Sequence, residues 1–89
     1  MRFEWDTRKA RENLKKHGVA FDEAVTVFYD PLSATFDDPD HSRAEQRYIT
    51  AGLSSQGRTL VVAHAETGES IRIISARPAT AHERKRHEG

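Results

Sequence analysis

The C-terminal stretch reads Ser70-Ile-Arg72-Ile-Ile-Ser-Ala-Arg77-Pro-Ala-Thr80-Ala-His-Glu83-Arg84-Lys-Arg-His87. Its first half is a short apolar segment that carries arginines, a pattern that predicts a β-strand. Thr80 and Glu83 have the spacing of a capping box, in which each side chain bonds the other's backbone at a helix start. The stretch therefore predicts a strand that runs directly into a basic helix. Such an arrangement can hold phosphate groups between arginines and a helix N-terminus.

The remaining pattern predicts one α+β domain over residues 1–89. We expect an N-terminal short strand and two helices, a four-stranded antiparallel meander, and the C-terminal helix, in one antiparallel sheet with helices on its covered face. The predicted elements are a strand at residues 2–6, a helix from Asp6 or Thr7 to about His17 that stops at Gly18, a helix at 23–29, and strands at 32–36, 48–53, 60–63 and 71–76.

Within these elements, periodicity predicts which side chains are buried. Ala10 and Leu14 should form the inner stripe of the first helix, and Asp22 should cap the second. Leu32, Ala34 and Phe36 alternate with polar residues, which predicts a half-buried strand.

The composition narrows the class of protein. The 89 residues include no cysteine, which excludes disulfides and thiolate metal sites, and no apolar run approaches the roughly 20 residues of a membrane span. We therefore expect a soluble cytoplasmic protein without membrane contact. A formal net charge of zero argues against bulk polyanion binding, but positive charge is concentrated in the first and last segments and negative charge between them.

Arginines near the C-terminus are the leading candidates for phosphate binding. Arg72 and Arg77 are five residues apart, so a regular strand would place them on opposite faces of the sheet. Each could also form a structural pair with a glutamate. Arg84 and His87 share a helix face. The capping box accounts for Glu83 without a catalytic role.

Two further clusters could contribute to a site. Lys15, Lys16 and His17 end the first helix, where the helix dipole favours cations and where His17 could also move a proton. Arg47 follows an acidic loop that contains His41, but the loop lacks the ligand pattern of an EF-hand. We expect no metal site. No Gly-rich phosphate loop is present, so we expect no cofactor.

Taken together, these motifs resemble the BrnT toxin family over essentially the whole chain. They are Phe3-Glu-Trp-Asp6, Asn13-Leu-Lys-Lys-His-Gly18, Phe21-x-Glu-Ala24, Val27-Phe28, Asp30-Pro31, Asp38-Pro-Asp-His41-Ser, Arg47, Gly52 and Arg72-Ile-Ile-Ser-Ala-Arg77-x-Ala-Thr-x-x-Glu-Arg84. The chain departs from the family at Pro78, where a basic residue is common, and at His87, where many members have tyrosine.

The resemblance implies a bacterial type II toxin, a small metal-independent ribonuclease with a RelE-like fold that arrests translation and growth. It also implies a BrnA-like antitoxin with a ribbon-helix-helix domain, through which alone the toxin would reach operator DNA. The positions that match the family's motifs are Trp5, Asp6, Lys16, His17, Arg77, Glu83 and Arg84.

From these positions we predict the roles of side chains in RNA cleavage. Arg77 and Arg84 would stabilise the charge on the phosphate, Lys16 would help, and His17 would transfer a proton. The residues predicted to bind substrate are Arg72, Arg47, Lys15 and His87. Bases would stack on an exposed aromatic side chain, but neither Trp5 nor Tyr48 can be assigned to this role over the core.

The competing interpretation is a non-catalytic interaction module, or a corepressor that acts only through its antitoxin. In that case the basic surface would dock an acidic partner without cleavage. Exposed sheet edges make a homodimer a further expectation.

Overall fold

The computed structural model describes the backbone of residues 1–41 and 45–88. Within these ranges the chain forms one five-stranded sheet and three α-helices, with single turns of 3₁₀ helix at Val27–Tyr29 and Pro39–His41. The elements are β1 (Arg2–Glu4), α1 (Thr7–His17), α2 (Phe21–Thr26), β2 (Ala34–Asp37), β3 (Arg47–Leu53), β4 (Thr59–Thr67), β5 (Ser70–Pro78) and α3 (Ala81–Glu88).

The strands lie in the order β1-β5-β4-β3-β2. Neighbours from β2 to β5 are antiparallel, whereas β1 lies parallel to β5, with Phe3 opposite Ile71. The α+β class and the order of elements are therefore confirmed, but the expectation of a wholly antiparallel sheet is wrong, because the sheet is mixed. A three-residue strand carries no local signal for its direction, which is decided here by a partner about seventy positions away.

Helices α1 and α2 cover one face of the sheet, and the core lies beneath them. The core consists of Val19, Phe21, Ala24, Val27, Leu60, Val62, Ile71, Ile73 and Ala76. We call the other side the open face. Strand register places on it Ala34, Phe36, Arg47, Ile49, Ala51, Val61, Ala63, Ala65, Arg72, Ser75 and Arg77.

Local capping signals define α1 as expected. The Asp6 carboxylate accepts hydrogen bonds from the backbone N–H groups of Arg8 (2.8 Å) and Lys9 (3.1 Å). At the other end Gly18 adopts a left-handed conformation (φ 70°) and donates its N–H to the carbonyl of Leu14. A residue with a Cβ would be strained in that conformation, so the stop at Gly18 follows from its lack of a side chain.

The inner stripe of α1 differs from the prediction. Leu14 is 52% exposed, and Asn13 is buried in its place. The Asn13 carboxamide donates to the carbonyls of Ala76 (2.8 Å) and Val19 (2.9 Å) and accepts from the N–H of Ala76 (3.1 Å). Strand β1 pairs only with residues 70–72 of β5. Further along β5, the Asn13 carboxamide provides the hydrogen-bond partners for the backbone N–H and carbonyl of Ala76.

The cap of the second helix was also predicted wrongly. Helix α2 begins at Phe21, its N-cap is Ala20 without a side-chain hydrogen bond, and Asp22 lies in the first turn. Phe21 is buried, and its packing starts the helix before Asp22. The carboxylate of Asp22 is still favourably placed near the positive end of the helix dipole.

The alternation in β2 was predicted correctly, but the burial was not. Ala34 and Phe36 face the same side, yet that side is the open face, and Phe36 is 59% exposed. Leu32, just before the strand, is 78% exposed. Alternation shows which side chains share a face, whereas burial depends on what covers that face.

Candidate functional site

Cationic and small side chains share the open face of the sheet. Arg47 and Arg72 both lie opposite Ala65 of β4, one on each side of it. Arg77 lies opposite Val61 at the other end of the same face. Between these arginines β4 places only Val61, Ala63 and Ala65 on the open face, so no long side chain projects from the sheet there. The open face is therefore an apolar floor with guanidinium groups at its two ends.

A β-bulge brings the arginines of β5 onto this face. Ile73 pairs with His64 and Ser75 pairs with Ala63, so Ile74 is the extra residue. The bulge shifts the alternation by one position, and Arg72 and Arg77 consequently lie on the same side of the sheet. The expectation from a regular strand, that they face opposite sides, is wrong for this reason. Bulges are common beside functional sites because they re-aim side chains in this way.

Arg77 is held in a bidentate ion pair with Glu83 of α3. Its Nη1 donates to Oε1 of Glu83 at 2.8 Å, and its Nη2 donates to Oε2 at 3.0 Å. A longer bond of 3.4 Å runs from Nη1 to the carbonyl of Pro78. These side chains are 41% and 36% exposed, so the pair is open to water and to ligands. The pair attaches the start of α3 to the end of β5.

Glu83 also closes the predicted capping box, which is confirmed. Its Oε1 accepts from the N–H of Thr80 (2.9 Å), and its own N–H donates to Oγ1 of Thr80 (3.1 Å). The bonds from Arg77, then that from the Thr80 backbone, lower the pKa of Glu83 from 4.5 to about 2, and the same pair raises the pKa of Arg77. A carboxylate with so low a pKa is a poor proton acceptor near neutral pH, which favours a structural role for Glu83.

An apolar groove lies between the open face and α3. We call it the open-face groove; its volume is about 480 Å³. Its apolar lining comes from the loop before β2 and from β2, β3 and β4, while α3 contributes the charged side chains. The lining residues are Leu32, Ala34, Phe36, Ile49, Ala51, Val61, Glu83 and Arg86.

Arg72 forms an ion pair with Glu45, which lies just before β3. This is the structural pairing that the sequence left open for this residue. Arg72 is nevertheless only half-buried and stays on the open face in the same row as Arg47. The two arginines thus form a cationic end of the face, opposite to the end occupied by Arg77.

The basic end of α1 lies elsewhere. Lys15 and Lys16 are exposed and His17 is half-buried in the last turn of α1, which packs on the covered face. The next residue, Gly18, accepts a hydrogen bond of 2.8 Å from Arg58. The structure therefore divides the predicted site residues into an open-face group and an α1 group.

Two of the predicted site residues, Arg84 and His87, belong to α3. Arg84 is exposed next to Glu83, and the side chain of His87 lies outside the described part of the structure, as does that of His41. Arg86 lines the open-face groove, and sequence reasoning did not single it out. The signal was present, because Arg86 follows Glu83 by three positions and so shares its helix face.

Phe36 is the other residue that sequence reasoning missed. The aromatic candidates considered from the sequence both pack inward: Trp5 against Phe21, with ring centroids 5.9 Å apart, and Tyr48 against His64 at 5.7 Å. Phe36 instead exposes its ring in the open-face groove. Because Phe36 lies in a strand with alternating apolar residues, the sequence predicted that it would be buried and not that it would line a groove.

Among the residues whose side chains the structure describes, 1–40 and 45–86, no group of three His, Asp or Glu side chains is arranged to hold a metal ion. In the same part of the chain, no helix has the length and apolar character needed to cross a membrane.

Comparison with known proteins identifies the family of this chain. The model of a family described as the ribonuclease toxin BrnT of type II toxin–antitoxin systems matches residues 5–83. The chain is thus a ribonuclease toxin of a toxin–antitoxin system, and a protein antitoxin is implied as its partner. It belongs to the BrnT family.

The fold agrees with this assignment. The crystal structure of the Brucella abortus ribonuclease toxin BrnT is similar, with a TM-score of 0.71 and 24% sequence identity. The match covers 90% of this chain and 97% of that one. No curated protein matches the chain significantly.

Proposed function

We propose that this chain is an endoribonuclease that cleaves RNA on the open face of its sheet without a metal, and thereby arrests translation and growth. The observation that carries the proposal is the position of Arg77. The bulge in β5 aims it at the open face, beside the open-face groove, and Glu83 fixes the orientation of its guanidinium. An oriented guanidinium beside an apolar floor suits recognition of a phosphate between bases.

The proposed reaction is an attack of the RNA 2′-hydroxyl on the adjacent phosphate. A bond forms between the 2′-oxygen and phosphorus while the bond to the 5′-oxygen breaks; the 2′-hydroxyl loses a proton and the departing 5′-oxygen gains one, which leaves a cyclic phosphate and a 5′-hydroxyl. Negative charge accumulates on the phosphoryl oxygens in the transition state, and Arg77 and Arg84 would stabilise it. An arginine has five N–H donors, and three are used by Glu83 and Pro78, so two remain for phosphate oxygens.

The other predicted residues would contact the bound RNA away from the cleaved phosphate. Arg72 and Arg47 would bind a phosphate at the far end of the open face. Lys15, Lys16 and His17 lie on the α1 side, so they would reach RNA only where the strand passes the edge of the sheet. Proton transfer by His17 therefore stays a prediction that its substitution must test.

The test is RNA cleavage by the purified protein in EDTA, with Arg77→Ala as the main variant. We expect a loss of activity on the order of 10²–10³-fold, as for removal of one charge-stabilising donor. The melting temperature should change little, because an exposed ion pair is worth about 1 kcal/mol or less.

Arg8→Ala is the matched control, since Arg8 forms an exposed pair with Glu12 (3.3 Å) within α1. It should cleave like the wild type. Full activity of Arg77→Ala would overturn the assignment of Arg77. RNA binding by the wild type without any cleavage would instead favour the non-catalytic interaction module.

We further propose a RelE-like architecture and a BrnA-like ribbon-helix-helix antitoxin as the cytoplasmic partner, with operator DNA bound only through that antitoxin. Membership in a type II toxin–antitoxin family supports the existence of a protein antitoxin. Co-expression with the product of a neighbouring ribbon-helix-helix reading frame should abolish cleavage and give a stable complex. Operator binding by the toxin alone would contradict the proposal. A homodimer would be detected by its mass in light scattering.

A further inference from the structure

One aromatic ring is placed differently from all the others in this chain. Four of the seven aromatic side chains, namely Phe3, Trp5, Phe21 and Phe28, belong to the core or pack against it. Tyr48 stacks on buried His64, and Tyr29, although 70% exposed, contacts Phe3 on the covered side with ring centroids 6.3 Å apart. Among the Phe, Tyr and Trp side chains, Phe36 alone presents its ring on the open face, and no ring in the described part of the chain packs against it.

The surroundings of Phe36 combine a flat apolar floor with positive charge. The groove beside its ring has a floor of Ile49, Ala51 and Val61 and a wall that includes Arg86. Glu83 is also in that wall, but its charge is matched by the ion pair with Arg77. The charge that is available to a ligand in the groove is therefore that of Arg86.

A nucleobase suits this combination better than a smaller ligand. The groove volume of about 480 Å³ leaves room for a base next to the ring. Arg77 lies directly opposite Val61, so the groove adjoins the residue proposed to bind the reacting phosphate. Unpaired bases in single-stranded RNA stack on exposed aromatic side chains, while cations bind the phosphates between them.

We propose that the open-face groove is a nucleobase subsite, in which one base of the RNA substrate stacks on the ring of Phe36 and Arg86 binds the adjoining phosphate. This inference rests on the proposed ribonuclease function and deepens it. Phe36 is a binding residue that selects where along the strand the phosphate meets Arg77.

The experiment uses a short 2′-O-methyl RNA that contains 2-aminopurine at a single position, with the position varied along a series. This RNA lacks the attacking hydroxyl and therefore cannot be cleaved by the proposed reaction. Stacking of the fluorescent base on an aromatic ring quenches its emission. We expect quenching by the wild-type protein at one position in the series.

The variants separate aromatic stacking from apolar contact. Phe36→Leu keeps an apolar side chain but removes the π face, and it should abolish the quenching and weaken binding by roughly 10- to 100-fold. Phe36→Trp should retain both the quenching and the RNA affinity of the wild type. Tyr29→Leu is the matched control, because it removes an even more exposed ring, on the other side of the sheet, and it should behave like the wild type. Melting curves establish that each variant is folded.

The outcomes distinguish this inference from the proposed function. Quenching and affinity unchanged in Phe36→Leu would overturn the subsite even if the wild type cleaves RNA. Quenching that depends on Phe36, in a protein that cleaves no RNA, would support the subsite and overturn the ribonuclease mechanism. If Phe36→Leu binds RNA normally but loses its antitoxin, the groove is a protein-docking surface and the inference is wrong.

Discussion

Replacement of Arg58 by methionine is expected to destabilise the fold strongly, because it would leave a buried carboxylate without its ion-pair partner. Glu23 of α2 is buried, and both of its carboxylate oxygens accept from Arg58, at 2.8 Å from Nε and 2.6 Å from Nη2. Ser54 adds one hydrogen bond of 2.7 Å. Arg58 also donates to the carbonyl of Gly18, so the variant removes a link between the β3–β4 connection and the end of α1.

The expected loss of stability follows from the different burial of the two partners, since Glu23 is buried and Arg58 is partly exposed. Removal of one partner of a buried ion pair costs about 3–5 kcal/mol, because the remaining charge is left in a poorly solvated site. The Arg58 side chain is 39% exposed, so water can partly replace it, and we expect the lower end, about 3 kcal/mol. For a domain of this size that corresponds to a fall in melting temperature of roughly 12–24 °C.

The assay is urea and thermal unfolding at pH 7 and again at lower pH. In the wild type, hydrogen bonds from Arg58 lower the pKa of Glu23, so this carboxylate stabilises the fold above pH 4.5 and the contribution is lost below it. In Arg58→Met burial should raise the pKa of Glu23 instead, and the deficit should shrink as the pH falls.

A double variant with Glu23→Gln and Arg58→Met should recover most of the stability, because it leaves no buried charge. Arg8→Met is the control for loss of an arginine from an exposed pair. A loss below 1 kcal/mol in Arg58→Met, or a double variant no more stable than Arg58→Met, would refute the reasoning.

Three further predictions concern buried polar and close-packed positions. Burial lowers the pKa of His64 from 6.5 to about 4, so stability should fall by up to roughly 3 kcal/mol as the pH drops through this range; urea midpoints should show this fall, and an unchanged slope in His64→Gln would contradict it. Asn13→Leu leaves the Ala76 N–H and carbonyl without their side-chain partner and should cost roughly 3 kcal/mol; faster amide exchange at Ala76 would confirm the cause, and wild-type stability would exclude it. Gly52→Ala places a Cβ 2.9 Å from side-chain atoms of Ser33 and Val27 and should cost about 1–3 kcal/mol by thermal unfolding; an unchanged melting temperature would show that the site relaxes freely.

The features that the sequence predicted well depend on residues close together in the chain. The cap at Asp6, the stop at Gly18 and the box formed by Thr80 and Glu83 each join positions at most four apart. The order of helices and strands was predictable for the same reason, because periodicity is a local property. Motifs distributed along the chain also identified the family, which the match over residues 5–83 confirmed.

The features that the sequence could not provide join residues far apart. Asn13 and Ala76 are separated by 63 positions, and Glu23 and Arg58 by 35, so no local pattern records that they meet. The bulge at Ile74 likewise appears only when β5 is paired with β4. It nevertheless decides the candidate site, because it turns Arg72 and Arg77 to the same face.

The amino-acid sequence alone was enough to predict the order of the elements, the caps of α1 and α3, the family, and the arginines that are candidates for phosphate binding. Long-range packing, which no local pattern records, sets the parallel direction of β1 against β5 and leaves the apolar side of β2 uncovered. The same long-range packing places Phe36 and Arg86 in one groove, which adjoins Arg77 through Val61, rather than in a core or a solvated tail. The physical reason is that a residue type fixes local conformation and chemistry, whereas the surface that a side chain faces depends on which distant segments cover the sheet.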